Sequence, residues 1–379
     1  MGPKLRAGDW VEVRSQREIL ATLDRTGGLD GMRFMPEMFE QCGKRLRVAS
    51  SAHKSCDTIT PAGGLRVEDA YHLDGVRCTG KGFDGCGAAC LVFWKGAWLK
   101  PVDGPIATSE APPAASNGAS NGAAAAAVAA VAAVEGCTMA DLVAATRVPV
   151  PAGESITYAC QTTELLKASK PLPWWDVRQY IADYRSGNVG LGQLAKGAAY
   201  AVPAAVIRQA KRRPRVESKL IAMYDAVVSL WGGAPFPRKR GTVPPGQKTP
   251  PVKLDLKAGE LVRIKSYDEI RATLDQDFRN RGLRFDAEQV PFCGETTRVH
   301  SRVQRIIDEK SGKMIEFKNP CLILEGVVCK AHYSDRRMHC PRAIYSYWRE
   351  AWVERVGEAQ APTPSTTASA AASATAQSA

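Results

Sequence analysis

The chain has 379 residues, 45% of them hydrophobic and 24% charged, a balance that excludes a wholly disordered polymer and leaves room for two or three folded domains. Its formal net charge of +12, from 51 Lys and Arg against 39 Asp and Glu, raises the question of an anionic partner. There is no run of about 18 apolar residues and no apolar leader behind MGPKLRAGDW, so the sequence predicts no transmembrane span and a cytoplasmic location.

The first element is GDWVEV (8–13), whose apolar–polar alternation predicts a half-buried strand. Ser15 and Glu18 follow as a capping box, in which the Ser hydroxyl accepts from the amide three residues on and the Glu reaches back; a helix of about two or three turns is predicted behind it. LRVASSA and RVEDAYHL read as further strands. CTGKGFDGCGAAC (78–90) reads as a loop that its glycines allow to wrap tightly. In LVFWKGAWLKPV, Trp94 and Trp98 are placed on one face of a helix or a strand.

The same order returns later. GDWVEVRSQREILATLD (8–24) matches GELVRIKSYDEIRATLD (259–275) at an offset of 251, which also pairs Cys42-Gly43 with Cys293-Gly294 and Cys78 with Cys329. At an offset of 254, Cys86 meets Cys340, Trp94 meets Trp348 and Trp98 meets Trp352. The expected organisation is a first β-rich, Cys-rich module (1–104), a flexible Ala/Pro/Ser linker (105–135) and a mostly helical basic segment (136–232). A Pro/Lys/Arg-rich linker (233–257), a second copy of the module (258–357) and a disordered Ala/Ser/Thr tail (358–379) complete it. The fold class expected is α+β: two duplicated small SH3-like β-barrel modules flanking the helical segment.

Cysteines carry the strongest chemical signal. Eleven of them in a reducing compartment, an odd number, favour metal over a disulfide framework. Zinc takes four thiolate or imidazole ligands, and Cys56, Cys78, Cys86 and Cys90 supply an all-thiolate set, with Cys42, His53 or Cys160 as substitutes. The spacing matches no standard zinc finger or ferredoxin run, and iron or an iron–sulfur cluster stays open as the cofactor. In the second copy His53, Cys56 and Cys90 are replaced by Gln304, Ile307 and Ile344, while Cys321 is gained beside Cys329 and Cys340. A decayed second site is expected. Packing as small buried hydrophobes is the competing reading for every one of these thiols.

Residues 136–257 hold the basic excess, 18 basic groups against 8 acidic. Helices are predicted at MADLVAATRV, WDVRQYIADYRSG, LGQLAKGAAYAV and SKLIAMYDAVVSLWG, and Asn188 reads as a helix stop. Lys211, Arg212, Arg213 and Arg215, with Arg238, Lys239 and Arg240 in the linker, are candidate anion-binding residues, for nucleic acid or an anionic surface. No GxSxG, P-loop, HExxH or strand-borne GxGxxG is present, so no catalytic residue is assigned.

Together these motifs resemble an uncharacterised bacterial protein family. Its pattern runs through GDWVEVRS, CG, HKxCD, the Cys-rich loop and FWKxAWL. A central segment of the form YxCQxTEL, WWDxRQY and SGNV follows, here Tyr158, Cys160-Gln161, Thr163-Glu164-Leu165, Trp174-Trp175-Asp176 and Arg178-Gln179-Tyr180. The resemblance brings no assigned activity. The leading expectation is a zinc-binding scaffold or adaptor with its site in the first module. The alternative is a metal- or thiol-dependent enzyme working between that module and Cys160 with Trp174-Trp175-Asp176, and the third is a binder of nucleic acid or another anionic polymer or surface.

Overall fold

A computed structural model describes residues 4–60, 63–105, 137–148, 150–151, 153–210, 213–230, 241–333 and 336–357. Both the 105–135 linker, but for its first residue, and the 358–379 tail lie outside that set, as do Lys211, Arg212, Arg238, Lys239 and Arg240. The fold is mixed, with short helices and several small antiparallel sheets. Two compact units divide the chain: 1–236 with 303–318 and 328–345, and 237–302 with 319–327 and 346–379.

In the first unit, β1 (Trp10–Val13) shows the predicted alternation, with Val11 and Val13 buried. It pairs antiparallel with β2 (Arg45–Ser51) on one side, and the sheet continues through β5 (Ala70–Leu73) and β6 (Trp94–Lys95); β7 (Leu99–Val102) closes the other edge. Helix α1 (Gln16–Leu20) starts on the Ser15–Glu18 capping box. It is shorter than predicted, because Thr22 turns back on its own chain: its hydroxyl donates to Ile19 O at 2.7 Å and its amide to the same carbonyl at 2.9 Å. A side-chain bond of this kind offers the backbone an alternative to continuing the helix.

A second, three-stranded sheet joins β3 (Lys54–Cys56) and β4 (Gly64–Val67) to β8 (Ser169–Leu172) from the central segment. Helix α2 (Met139–Ala144) begins on a Thr138–Asp141 capping box. Then come α3 (Arg178–Arg185), α4 (Leu191–Gln209) and α5 (Pro214–Ser229). Trp94 and Trp98 are both fully buried, one on a strand and one in a 3₁₀ turn, and both meet the edge of Phe34, at 6.2 and 5.0 Å between ring centres. Such edge-to-face contacts add specific geometry to the large apolar area each ring buries.

The second unit repeats these features. Helix α6 (Tyr267–Arg271) carries the Ser266–Glu269 capping box. β9 (Leu261–Ile264) lies between β10 (Thr296–Ile307) and β12 (Val353–Arg355), with β11 (Met314–Leu324) beyond β10. Phe285 meets Trp348 and Trp352 edge-on at 6.0 and 5.3 Å. The equivalence reaches single bonds: Trp98 Nε1 donates to Thr22 Oγ1 at 3.1 Å, and Trp352 Nε1 to Thr273 Oγ1 at 3.0 Å. The far parts of β10 and β11 with their turn (303–318) belong to the first unit.

In the loop over 78–90, Gly80 is left-handed (φ +71°), and a Cβ there would lie 2.1 Å from the carbonyl oxygen of Cys86. Gly82 has open space around it. Gly80→Ala is therefore expected to lower stability by about 2 kcal/mol or more, while Gly82→Ala stays within about 1 kcal/mol. Equal urea midpoints for the two variants would contradict this assignment.

Candidate functional site: a buried charge and thiol cluster

The geometry begins on β3, where Lys54, Ser55 and Cys56 are all buried. Alternation along a strand puts Lys54 and Cys56, two apart, on one face. Cys56 is a strand residue, because Lys54–Cys56 pairs with Gly64–Arg66. β8 extends the same sheet from the central segment and so delivers α3 to this region.

Helix α3 contributes Asp183, which is fully buried. Lys54 Nζ donates to Asp183 Oδ2 at 2.5 Å and to Met338 O at 2.8 Å, and sits 5.2 Å from the centre of the Tyr180 ring. His53 Nε2 lies 3.1 Å from Asp183 Oδ1. Burial pulls the Lys54 ammonium below its usual range, and the Asp183 charge opposes that pull. Behind the helix, Asn188 is more than a stop signal: its side chain accepts from Ser51 N and donates to Ser51 O, both at 2.8 Å, and so ties the chain after α3 to β2. Asp176 is held by Arg66 at 2.7 Å and Arg178 at 2.8 Å, and the Arg178 hydrogen bond takes its carboxyl down to about 2.

On the same face Cys56 meets Cys340. Cys56 is buried and Cys340 half-buried, and each shifts the titration of the other. Arg342, also buried, donates from Nη1 to Cys56 O at 3.2 Å and reaches Cys56 Sγ at 3.9 Å; Glu309, 2.5 Å from its other nitrogen, fixes the guanidinium. Thr58 donates to Glu309 in turn. The hydrogen bond from Cys340, with the charges of Arg342 and Arg337 and against the cost of burial, lowers the Cys56 thiol to about 6. Cys340 moves the opposite way, because its proton is held by Cys56 and burial disfavours its thiolate. One thiol of the pair is thus set up as a thiolate and the other as its donor.

Of the remaining predicted ligands, Cys90 feels the charges of the same Arg342 and Glu309. Cys78 N donates to Cys90 O at 2.8 Å, and burial, with Glu37 nearby, raises the Cys78 thiol well above its usual range. Cys86 Sγ accepts from Ile307 N at 3.4 Å, and burial raises this thiol and takes Cys90 up to about 12. Cys160 Sγ contacts Thr162 Oγ1 at 3.2 Å, while the neighbouring Gln161 amide clamps Phe93 N and O, each at 2.8 Å. Burial alone raises Cys42, and Cys293 reaches about 12. In the second unit Cys321 accepts from Arg349 Nη1 at 3.4 Å, whereas Cys329 and Cys340 belong to the first unit. Among the described residues, no three His, Cys, Asp or Glu side chains are grouped to hold a metal ion.

Trp174 and Trp175 meet edge-on at 6.1 Å, with Trp175 exposed, and Arg213 and Arg215 are exposed. No helix among the described residues is long and apolar enough to cross a membrane. Sequence reasoning missed Lys54, Asp183, Glu309 and Arg342. For the first two a signal existed, since Lys54 lies inside HKxCD and Asp183 between WWDxRQY and SGNV; Glu309 and Arg342 lie outside every motif quoted. No family model, curated protein or solved structure matches the chain.

Proposed function

We propose that the protein is thiol-dependent, and that Cys56 and Cys340 are its working pair, cycling between dithiol and disulfide. The observation that carries this reading is the buried guanidinium of Arg342, held by Glu309 and set against Cys56, with Cys340 as the neighbouring thiol that its charge couples to. A thiolate at neutral pH is the nucleophilic form of cysteine, and a neighbouring thiol is what resolves its mixed disulfide. The oxidant is a low-molecular-weight disulfide. The Cys56 thiolate attacks one of its sulfurs, whose S–S bond breaks as the new one forms, and the leaving thiolate takes up the Cys340 proton. Cys340 then attacks Cys56 Sγ and expels the second thiolate, which is protonated by solvent. The two cysteines are oxidised by two electrons, and the small disulfide is reduced to two thiols. Lys54, whose charge is felt by Cys340, and the Arg342–Glu309 pair position the two sulfurs.

The test is the pH profile of Cys56 alkylation, read by mass spectrometry. Half-maximal reactivity is expected well below the ordinary thiol range shown by exposed cysteines. Cys340→Ser and Arg342→Gln are expected to move it upward. Glutathione disulfide is expected to yield an internal Cys56–Cys340 bond in the native chain and a trapped mixed disulfide in Cys340→Ser. An ordinary profile, or no internal bond, would overturn the reading.

A zinc-binding scaffold is the second reading, in which the repeated module is an SH3-like barrel stiffened by metal. It is favoured by Cys86 and Cys90, both of which feel the charge of Cys160, Cys90 also that of Cys86. Without a cation, burial and these charges hold Cys86 and Cys90 protonated; a bound divalent ion reverses that logic. Stoichiometric zinc that persists in Cys56→Ser and disappears in Cys90→Ser would select this reading.

A further inference from the structure

Helices α4 and α5 meet through a small core of Tyr200, Ile207 and Tyr224, with the ring centres of Tyr200 and Tyr224 5.9 Å apart. Their opposite faces are largely apolar, interrupted by Gln209 on α4 and Lys219 on α5. On α4, Leu191, Val202 and Val206 are 66, 62 and 52% exposed; at 100° per residue they fall on one side of the helix, with exposed alanines at 195, 198 and 199 between them. On α5 and the turn that ends it, Met223, Val227 and Leu230 are 61, 43 and 82% exposed and again share a side. Single exposed apolar residues need no explanation, but two stripes on consecutive helices do.

Charge identifies what covers them. The sequence joining the helices, RQAKRRPR (208–215), carries five basic residues and no acidic one, and of these Arg213 and Arg215 are described and exposed. A helix with an apolar face beside clustered Lys and Arg is the chemistry of an interfacial membrane element, with the apolar side chains among the acyl chains and the basic groups on anionic headgroups. Because neither helix is long and apolar enough to cross a membrane, the binding is to the surface. A nucleic acid would use the charge and leave the stripes in water. A second copy of the chain would bring two such basic sequences onto one surface.

We propose that the α4–α5 pair docks the protein on an anionic lipid surface. This holds independently of the thiol chemistry above. The experiment is sedimentation of the full-length chain with vesicles of phosphatidylcholine alone and of phosphatidylcholine with one-third phosphatidylglycerol. Binding is expected to the anionic vesicles, weakening as salt rises. Arg213→Glu with Arg215→Glu is expected to weaken it at least tenfold, since each basic group near the surface is worth about fivefold. Val206→Asp with Met223→Asp, both at exposed positions, is expected to weaken it by a similar factor with helicity retained by circular dichroism. Failure to bind anionic vesicles, or equal binding to phosphatidylcholine, overturns the proposal. So does tight duplex DNA binding that the charge variant loses and the apolar variant keeps, or light scattering that shows the stripes consumed in a dimer.

Discussion

Asp183→Ala is expected to destabilise the first unit by about 3–5 kcal/mol, the cost of leaving a buried cation without its partner. Lys54 is 3% exposed and Asp183 0%, so neither charge is solvated by water once the pair is broken. Burial already pulls Lys54 toward its neutral form, and without the carboxylate that pull is opposed only by the Met338 carbonyl, the Tyr180 ring and the Cys340 thiol. The double variant Lys54→Met with Asp183→Leu removes both charges at similar volume and is expected to recover most of the loss. Because the chain holds two units, a whole-molecule signal is not two-state, and the readout is hydrogen exchange of peptides from 45–73 in increasing urea. A loss under about 1 kcal/mol for Asp183→Ala would show that water reaches Lys54, and the site would then be an ordinary surface pair.

That pair also marks where the sequence stops speaking. Single features were legible because they rest on local signals: a Ser and a Glu three apart start α1 and α6 alike, and tryptophans four apart meet Phe34 in one case and Phe285 in the other. The thiol pair was not legible in this way. Cys56 and Cys340 are far apart in the chain, and at the repeat offset Cys340 is the counterpart of Cys86, so internal comparison pointed it toward a second copy of the same site. Its actual neighbour follows from the topology that assigns 328–345 to the first unit. Lys54 and Asp183 were missed for the same reason. Only the pairing of β8 with β4 brings α3 over β3, and no periodicity in either segment encodes that pairing.

Between pH 6.5 and 4 the first unit is expected to lose about 3 kcal/mol to one residue, His72. Its ring is fully buried on β5, with Nδ1 2.9 Å from Val92 O and the Phe93 ring 4.6 Å away, and burial lowers it from 6.5 to about 4. Above pH 6.5 the ring is neutral whether the chain is folded or not, and the group contributes nothing to the pH dependence. As pH falls below 6.5 the unfolded chain takes up the proton and the folded one does not, so stability drops by about 1.4 kcal/mol per unit until the folded ring titrates near 4. The Cys56 thiol acts in a separate window. Its folded value lies below its unfolded one, so its contribution is complete above pH 9 and is lost as pH falls toward 6. His339, buried and also lowered to about 4, adds to the slope in the acid window. His72→Phe removes one titrating group at similar volume, and its urea midpoint is expected to fall less steeply between pH 6.5 and 4.5 than that of the native chain, by close to one proton. Parallel slopes for the two proteins would mean that His72 is protonated in the fold, and the Val92 carbonyl would then be accepting from an imidazolium.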